Sequence, residues 1–104
     1  MKKQIPREHE IQSVILEYLA LMKIKAWRQN TGATKIGDRY IRFGKKGISD
    51  ILGILPSGKF LAVEVKREGN KPTPEQQEFI DDINRNNGLA FVATSLEDVM
   101  AKIR

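Results

Sequence analysis

Apolar residues recur at three- and four-residue spacing through Ile11, Val14, Ile15, Tyr18, Leu19 and Met22, the stripe of a helix with one face on a core. With Pro6 just ahead of that stripe, a first helix is predicted over residues 6–23. Continued three residues toward the N-terminus, the stripe reaches Glu8. Glu10 falls about 110° from its centre at ~100° per residue, so Glu8 is expected on the core side and Glu10 away from it. Between Lys23 and Asn30 the pattern becomes the alternation KIKAWRQN, with Ile24, Ala26 and Arg28 on one side, which predicts a strand. Trp27, inside that apolar strand, is expected in the core rather than as a platform for bases. Thr31-Gly32-Ala33-Thr34 reads as a break, and residues 35–46, with Tyr40, Ile41 and Phe43 between Gly37 and Gly44, predict a short strand or hairpin.

Two further apolar runs, residues 48–55 and 59–66, are joined by Pro56-Ser57-Gly58 and predict a hairpin. A polar loop follows, and Thr73-Pro74-Glu75-Gln76 supplies an N-cap residue with proline at the first helical position, so a second helix is expected over residues 74–87. Asn86-Asn87-Gly88 is a helix stop. Leu89 to Ala93 predicts a short strand, and Ser95 opens a last helix. The order α-β-β-β-β-α-β-α implies an α/β fold in which a mixed central β-sheet is flanked by helices.

Composition narrows the function. A chain of 104 residues fits one domain over residues 1–104, and no repeat or low-complexity tract divides it. Cysteine is absent and His9 is the sole histidine, which excludes disulfides, thiolate sites and histidine-rich metal sites. Any metal must then be held by oxygen. Lysine and arginine exceed aspartate and glutamate by 18 to 13, a net charge of +5 that favours a polyanionic partner. No segment has the length of a signal peptide's apolar region or of a membrane span, so the expected location is the cytoplasm.

The chemistry is expected where the hairpin of residues 48–66 brings acids together. Along FLAVEVK the period of two puts Glu64 and Lys66 on one face and Val63 and Val65 on the other. Asp50 leads into Ile51-Leu52-Gly53-Ile54-Leu55, an apolar run typical of a strand covered on both sides. Charged residues at i and i+2 are commonplace on a solvent-facing strand, but an acid entering an interior strand opposite another acid calls for a compensating charge. Mg²⁺ prefers oxygen ligands and takes few from protein, so Asp50, Glu64 and the backbone carbonyl of Val65 would suffice. Such a set can hydrolyse a phosphodiester without histidine, with Lys66 beside the attacking water.

Asp50, the 13-residue gap and Glu64-x-Lys66 resemble the bipartite signature of the PD-(D/E)xK nuclease superfamily. More narrowly, the chain is similar to a stand-alone VRR-NUC domain. The matching elements are Glu8, Arg28-Gln29-Asn30-Thr31-Gly32, Gly47-Ile48-Ser49-Asp50, Glu64-Val65-Lys66 and Thr73-Pro74-Glu75-Gln76. The superfamily's proline before the acid is replaced by Ser49, which removes no ligand. The resemblance implies a restriction-endonuclease-like fold and an endonuclease dependent on Mg²⁺ or Mn²⁺. It makes Asp50 and Glu64 metal ligands and Lys66 the catalytic lysine, with Glu8 and Gln76 completing the active site. It implies a DNA partner, no membrane and no nucleotide cofactor; small relatives act as homodimers, some on four-way (Holliday) junctions. For Glu8, a first-turn acid favoured by the helix dipole, and for Gln76, a plain first-turn polar residue, are the competing explanations.

Basic residues flank the acids in sequence: Lys35, Arg39, Arg42, Lys45 and Lys46 precede Asp50, and Arg67 and Lys71 follow Lys66. That placement fits phosphate neutralisation. Arg28 and Asn30 join this nucleic-acid-binding set through the matching motif. Two other readings stay open on the residues: a non-catalytic nucleic-acid-binding module, and a nuclease subunit to which a larger restriction or repair assembly supplies targeting.

Overall fold

In the computed structural model, residues 4–29, 32–43 and 45–103 are described. Helix α1 spans Glu8–Leu21 and buries Ile11, Ile15 and Leu19 of the predicted stripe, while Val14 and Met22 at its margins stay exposed. It begins two residues later than the pattern predicts. Arg7 is an extended N-cap, φ −76 and ψ 153, and its N–H donates to Glu10 Oε1 at 3.3 Å. The acid turned from the core thus caps the helix that carries Glu8.

The strands are β1 Lys25–Arg28, β2 Gly32–Ile36, β3 Arg39–Phe43, β4 Ile51–Ile54, β5 Phe60–Val65 and β6 Leu89–Ala93; the later helices are α2 Pro74–Arg85 and α3 Leu96–Lys102. The main sheet runs β1-β4-β5-β6, while β2 and β3 pair as a sheet of their own. The segment read as a strand or hairpin is therefore a hairpin. It starts earlier than expected, because Gly32 and Ala33, read as part of a break, pair with Phe43 and Arg42. Backbone pairing across the hairpin outweighs the weak strand propensity of Gly-Ala. β1, β4 and β5 are antiparallel, and α2 carries the chain across to β6, parallel to β5, which makes the sheet mixed.

The register assigns the two faces. Arg28, Ile51, Val63 and Phe91 stand opposite one another across the four strands, as do Trp27, Leu52, Ala62 and Ala90 in the next row. The first row faces the larger core, where Ile15, Leu19, Val65 and Val99 pack from α1, β5 and α3. The second meets Ile80 of α2. Covering on both sides accounts for the nearly continuous apolar sequence of β4 and β5. Helix α2 lies over β5 and β6 and leaves Trp27 of the edge strand β1 39% exposed. The expectation of a buried Trp27 is overturned. Ala26 and Arg28 take the α1 side of β1, and alternation turns Trp27 to the side that α2 does not reach.

β4 is shorter than the predicted run and begins after Asp50. The turn behind it is as expected, with Gly58 at φ 91 and its N–H donating to the Leu55 carbonyl at 2.8 Å. Among the described residues no helix is long and apolar enough to cross a membrane.

Candidate active site

Asp50 sits where β4 is about to begin, and three contacts fix it. The Gln29 N–H donates to the Asp50 carbonyl at 2.7 Å, extending the β1 pairing by one residue. Asp50 Oδ2 accepts the Val65 N–H at 2.8 Å, taking the place of a main-chain acceptor that β4 does not supply. Upstream, Gly47 at φ 84 lies so close to the first turn of α2 that a Cβ would stand 2.5 Å from the Glu75 carbonyl oxygen. No other residue meets both demands.

Glu64 is the cross-strand neighbour of Asp50 and only 1% exposed. Its Oε1 is buried with no hydrogen-bond partner, and Oε2 lies 3.7 Å from Lys66 Nζ. Burial first, then the Asp50 charge and a proton shared with that carboxyl, push Glu64 up to about 8, while Lys66 pulls the other way. Asp50 is also raised, chiefly by burial and despite the Val65 N–H that favours its ionised form. Lys66 is largely covered, and its backbone N–H bonds to the Ala93 carbonyl at 3.0 Å, anchoring the lysine to β6. The predicted common face of Glu64 and Lys66 is observed.

Glu8 arrives from the other layer. Its Oε2 accepts the Arg67 N–H at 3.3 Å, and its charge raises both Asp50 and Glu64. The helical phase that separated Glu8 from Glu10 is thus observed: Glu8 faces the carboxylates and Glu10 the N-cap. Gln76 is half-buried in the first turn of α2, where its Oε1 accepts the Thr73 N–H at 2.8 Å and its N–H donates to Thr73 Oγ1 at 3.2 Å. That reciprocal pair gives Gln76 a capping task the sequence reading did not assign, and leaves its amide nitrogen for other partners.

Of the basic residues, Arg28 is committed elsewhere than expected. Its guanidinium donates to Gln12 Oε1 at 2.8 Å, Ser13 Oγ at 3.0 Å and the His9 carbonyl at 3.4 Å, fastening β1 to α1. Lys46 pairs with Glu75 at 3.4 Å on the surface. Arg39, Lys45, Arg67 and Lys71 are exposed. Asn30 lies outside the described residues, as do the side chains of Lys35 and Arg42. Two contributors were missed in the sequence. Gln29 binds the Asp50 main chain and also accepts from Trp27 Nε1 at 3.2 Å, and Gly47 sets the approach to Asp50. Gln29 stands inside the Arg28-Gln29-Asn30-Thr31-Gly32 motif, but nothing in its type signals a main-chain role.

Among the described residues no group of three histidine, cysteine, aspartate or glutamate side chains stands at metal-holding distance. Asp50 and Glu64 form the carboxylate pair, and one main-chain oxygen is available to it. In a strand the N–H and C=O of one residue point to the same side, so the Val65 carbonyl faces the β4 side, as does the N–H held by Asp50. A buried carboxylate oxygen without a partner, beside a second acid whose proton is also held tightly, fits a hard cation that takes few protein ligands.

Two carboxylates and a lysine at the end of a mixed sheet, with an acid from the first helix beside them, define a nuclease of the PD-(D/E)xK class. The chain belongs to the VRR-NUC domain family, which matches residues 5–97. A solved structure described as "VRR_NUC domain" superposes with a TM-score of 0.67 at 25% identity, covering 90% of each chain. A 41-residue stretch is 44% identical to "Putative nuclease p44" of Acyrthosiphon pisum secondary endosymbiont phage 1. That stretch is 39% of this chain and 44% of the phage protein, so the match spans under half the length of that relative.

Proposed function

We propose that this nuclease domain is a divalent-metal-dependent endonuclease that hydrolyses phosphodiester bonds in DNA, selects branched structures, and acts as a homodimer that resolves Holliday junctions. The observation that carries the reaction is the unpartnered, buried Oε1 of Glu64 beside Asp50, with Lys66 Nζ 3.7 Å from the other oxygen. Lys66 reaches only one oxygen of this buried carboxylate, so two desolvated acids face a single cation, and Mg²⁺ or Mn²⁺ held by Asp50, Glu64 and the Val65 carbonyl would supply the charge still missing. When bound, the cation supplies a Lewis acid for the phosphoryl oxygens and the attacking water. Lys66 orients that water from the same face of β5, and Glu8 adds the acid that helps position it. The exposed Arg39, Lys45, Arg67 and Lys71 neutralise neighbouring phosphates. Selectivity for junctions and the dimer rest on the family resemblance. Two identical sites facing opposite strands account for paired cuts.

Cleavage of labelled duplex, flap, single-stranded and four-way-junction DNA with Mg²⁺, Mn²⁺ or EDTA tests the reading, together with light scattering for the dimer. Asp50→Ala and Lys66→Ala are expected to cut at least about 10²-fold more slowly, with DNA binding retained by Lys66→Ala. Cutting in EDTA, or full activity in both variants, refutes the mechanism. Binding without cutting under any metal makes the chain a binding module instead.

A further inference from the structure

Trp27 is the only tryptophan of the chain, and the fold leaves it 39% exposed at the edge of the sheet rather than in the core. Glu64 shares a face with Ala62, whose partners across the sheet are Leu52 and then Trp27. Trp27 therefore stands on the same face as Glu64 and Lys66. It is two residues along β1 from Gln29, which binds the Asp50 main chain, and this places its backbone about 8 Å from that of Asp50. One nucleotide bridges such a gap.

The indole is also oriented. Its Nε1–H is held by Gln29 Oε1 at 3.2 Å, so the one polar group of the ring is satisfied within the protein and its π-face is what remains to offer. Ile54 and Phe60, exposed on the same face, continue the apolar surface away from the acids, and Lys25, two residues before Trp27, adds a cation beside it. An aromatic ring bordered by a lysine and placed next to carboxylates that act on phosphodiesters has the chemistry of a base-stacking platform.

We propose that Trp27 stacks on an unpaired nucleobase adjacent to the scissile phosphate, so that this side of the site takes a single-stranded or frayed stretch of nucleic acid. Bases inside a duplex are already stacked on their neighbours and present no free face to the ring. The proposal rests on the nuclease reading above and sharpens its substrate from branched DNA in general to the unpaired nucleotides at a branch.

The test reads binding without cleavage. In EDTA, the emission of the whole protein is followed while deoxythymidine oligomers, uridine oligomers or a blunt duplex of equal length are added, and anisotropy of labelled oligomers gives the affinities. Single strands are expected to quench the emission and the duplex to leave it nearly unchanged; quenching by both oligomers assigns the platform to unpaired pyrimidines of either sugar, and by one alone to that nucleotide type. Trp27→Ala should weaken single-strand binding about tenfold without changing duplex affinity, and Trp27→Phe should retain most of it. Equal quenching by duplex, binding of single strands without quenching, or equal weakening toward both ligands by Trp27→Ala overturns the proposal. So does an emission change that follows protein concentration with no oligomer present, since a second copy would then cover the ring. Failure of the nuclease reading shows instead in the cleavage assays with Asp50→Ala and Lys66→Ala, which these titrations do not touch.

Discussion

Between pH 4.5, where an ordinary glutamate gives up its proton, and about 8, where Glu64 does, the folded chain holds a proton that the unfolded chain has released. Stability contributed by this group is thus fully present below 4.5 and is lost as pH rises through 8, a total on the order of a few kcal/mol. Asp50 is shifted in the same direction and adds to the slope. Denaturant midpoints of the metal-free protein are expected to fall between about pH 5 and about pH 8, and Glu64→Gln, which removes the titration, should flatten that profile. Mg²⁺ should restore the wild-type midpoint at the upper pH and have little effect on Glu64→Gln. A wild-type midpoint that climbs with pH contradicts the shift. The placement of Glu64, Lys66 and Glu8 was legible because strand and helix periodicities fix which residues share a face. Trp27 was not, since alternation along β1 distinguishes two sides without saying which one α2 will cover.

At the scale of elements, the site depends on how α1, α2 and the loop before β4 are held. Arg28 fastens α1 to β1 through three acceptors, so Arg28→Ala should cost about 1–3 kcal/mol and lower activity by loosening Glu8. Arg28→Lys should recover little, because an ammonium cannot reproduce the planar fork. Thermal unfolding and cleavage rates measured on the same preparations check both. For Gly47→Ala, the left-handed backbone and the 2.5 Å approach to the Glu75 carbonyl predict a loss of more than about 1 kcal/mol, with cleavage falling as Asp50 shifts. Thr73→Ala, which removes the α2 cap accepted from Gln76, should cost about 1 kcal/mol. The caps and stops of α2 could be read from Thr73, Pro74 and Gly88, whereas the Gly47 contact could not. It joins segments far apart in sequence, and a glycine between Lys46 and Ile48 reads equally well as an ordinary turn.

Over the whole molecule, the four-stranded sheet carries the acids, while the β2–β3 hairpin is a sheet apart, inserted between β1 and β4. Replacing residues 32–43 with a short glycine-serine linker should preserve cooperative unfolding of the body and weaken DNA binding, with a smaller salt dependence of the binding constant. Loss of folding in that variant would show that the hairpin is part of the core. The sequence disclosed the hairpin only in part, because Thr31-Gly32-Ala33-Thr34 has turn chemistry and the strand character of Gly32, Ala33 and Thr34 comes from partners across the ladder. This separateness bears on descent. Because neither β2 nor β3 takes a place in the main sheet, a lineage can lengthen, recharge or exchange the stretch between residues 32 and 43 without reordering the strands that hold Asp50 and Glu64. If the hairpin meets DNA as proposed, what is gripped can then diverge quickly while the carboxylate pair is inherited unchanged.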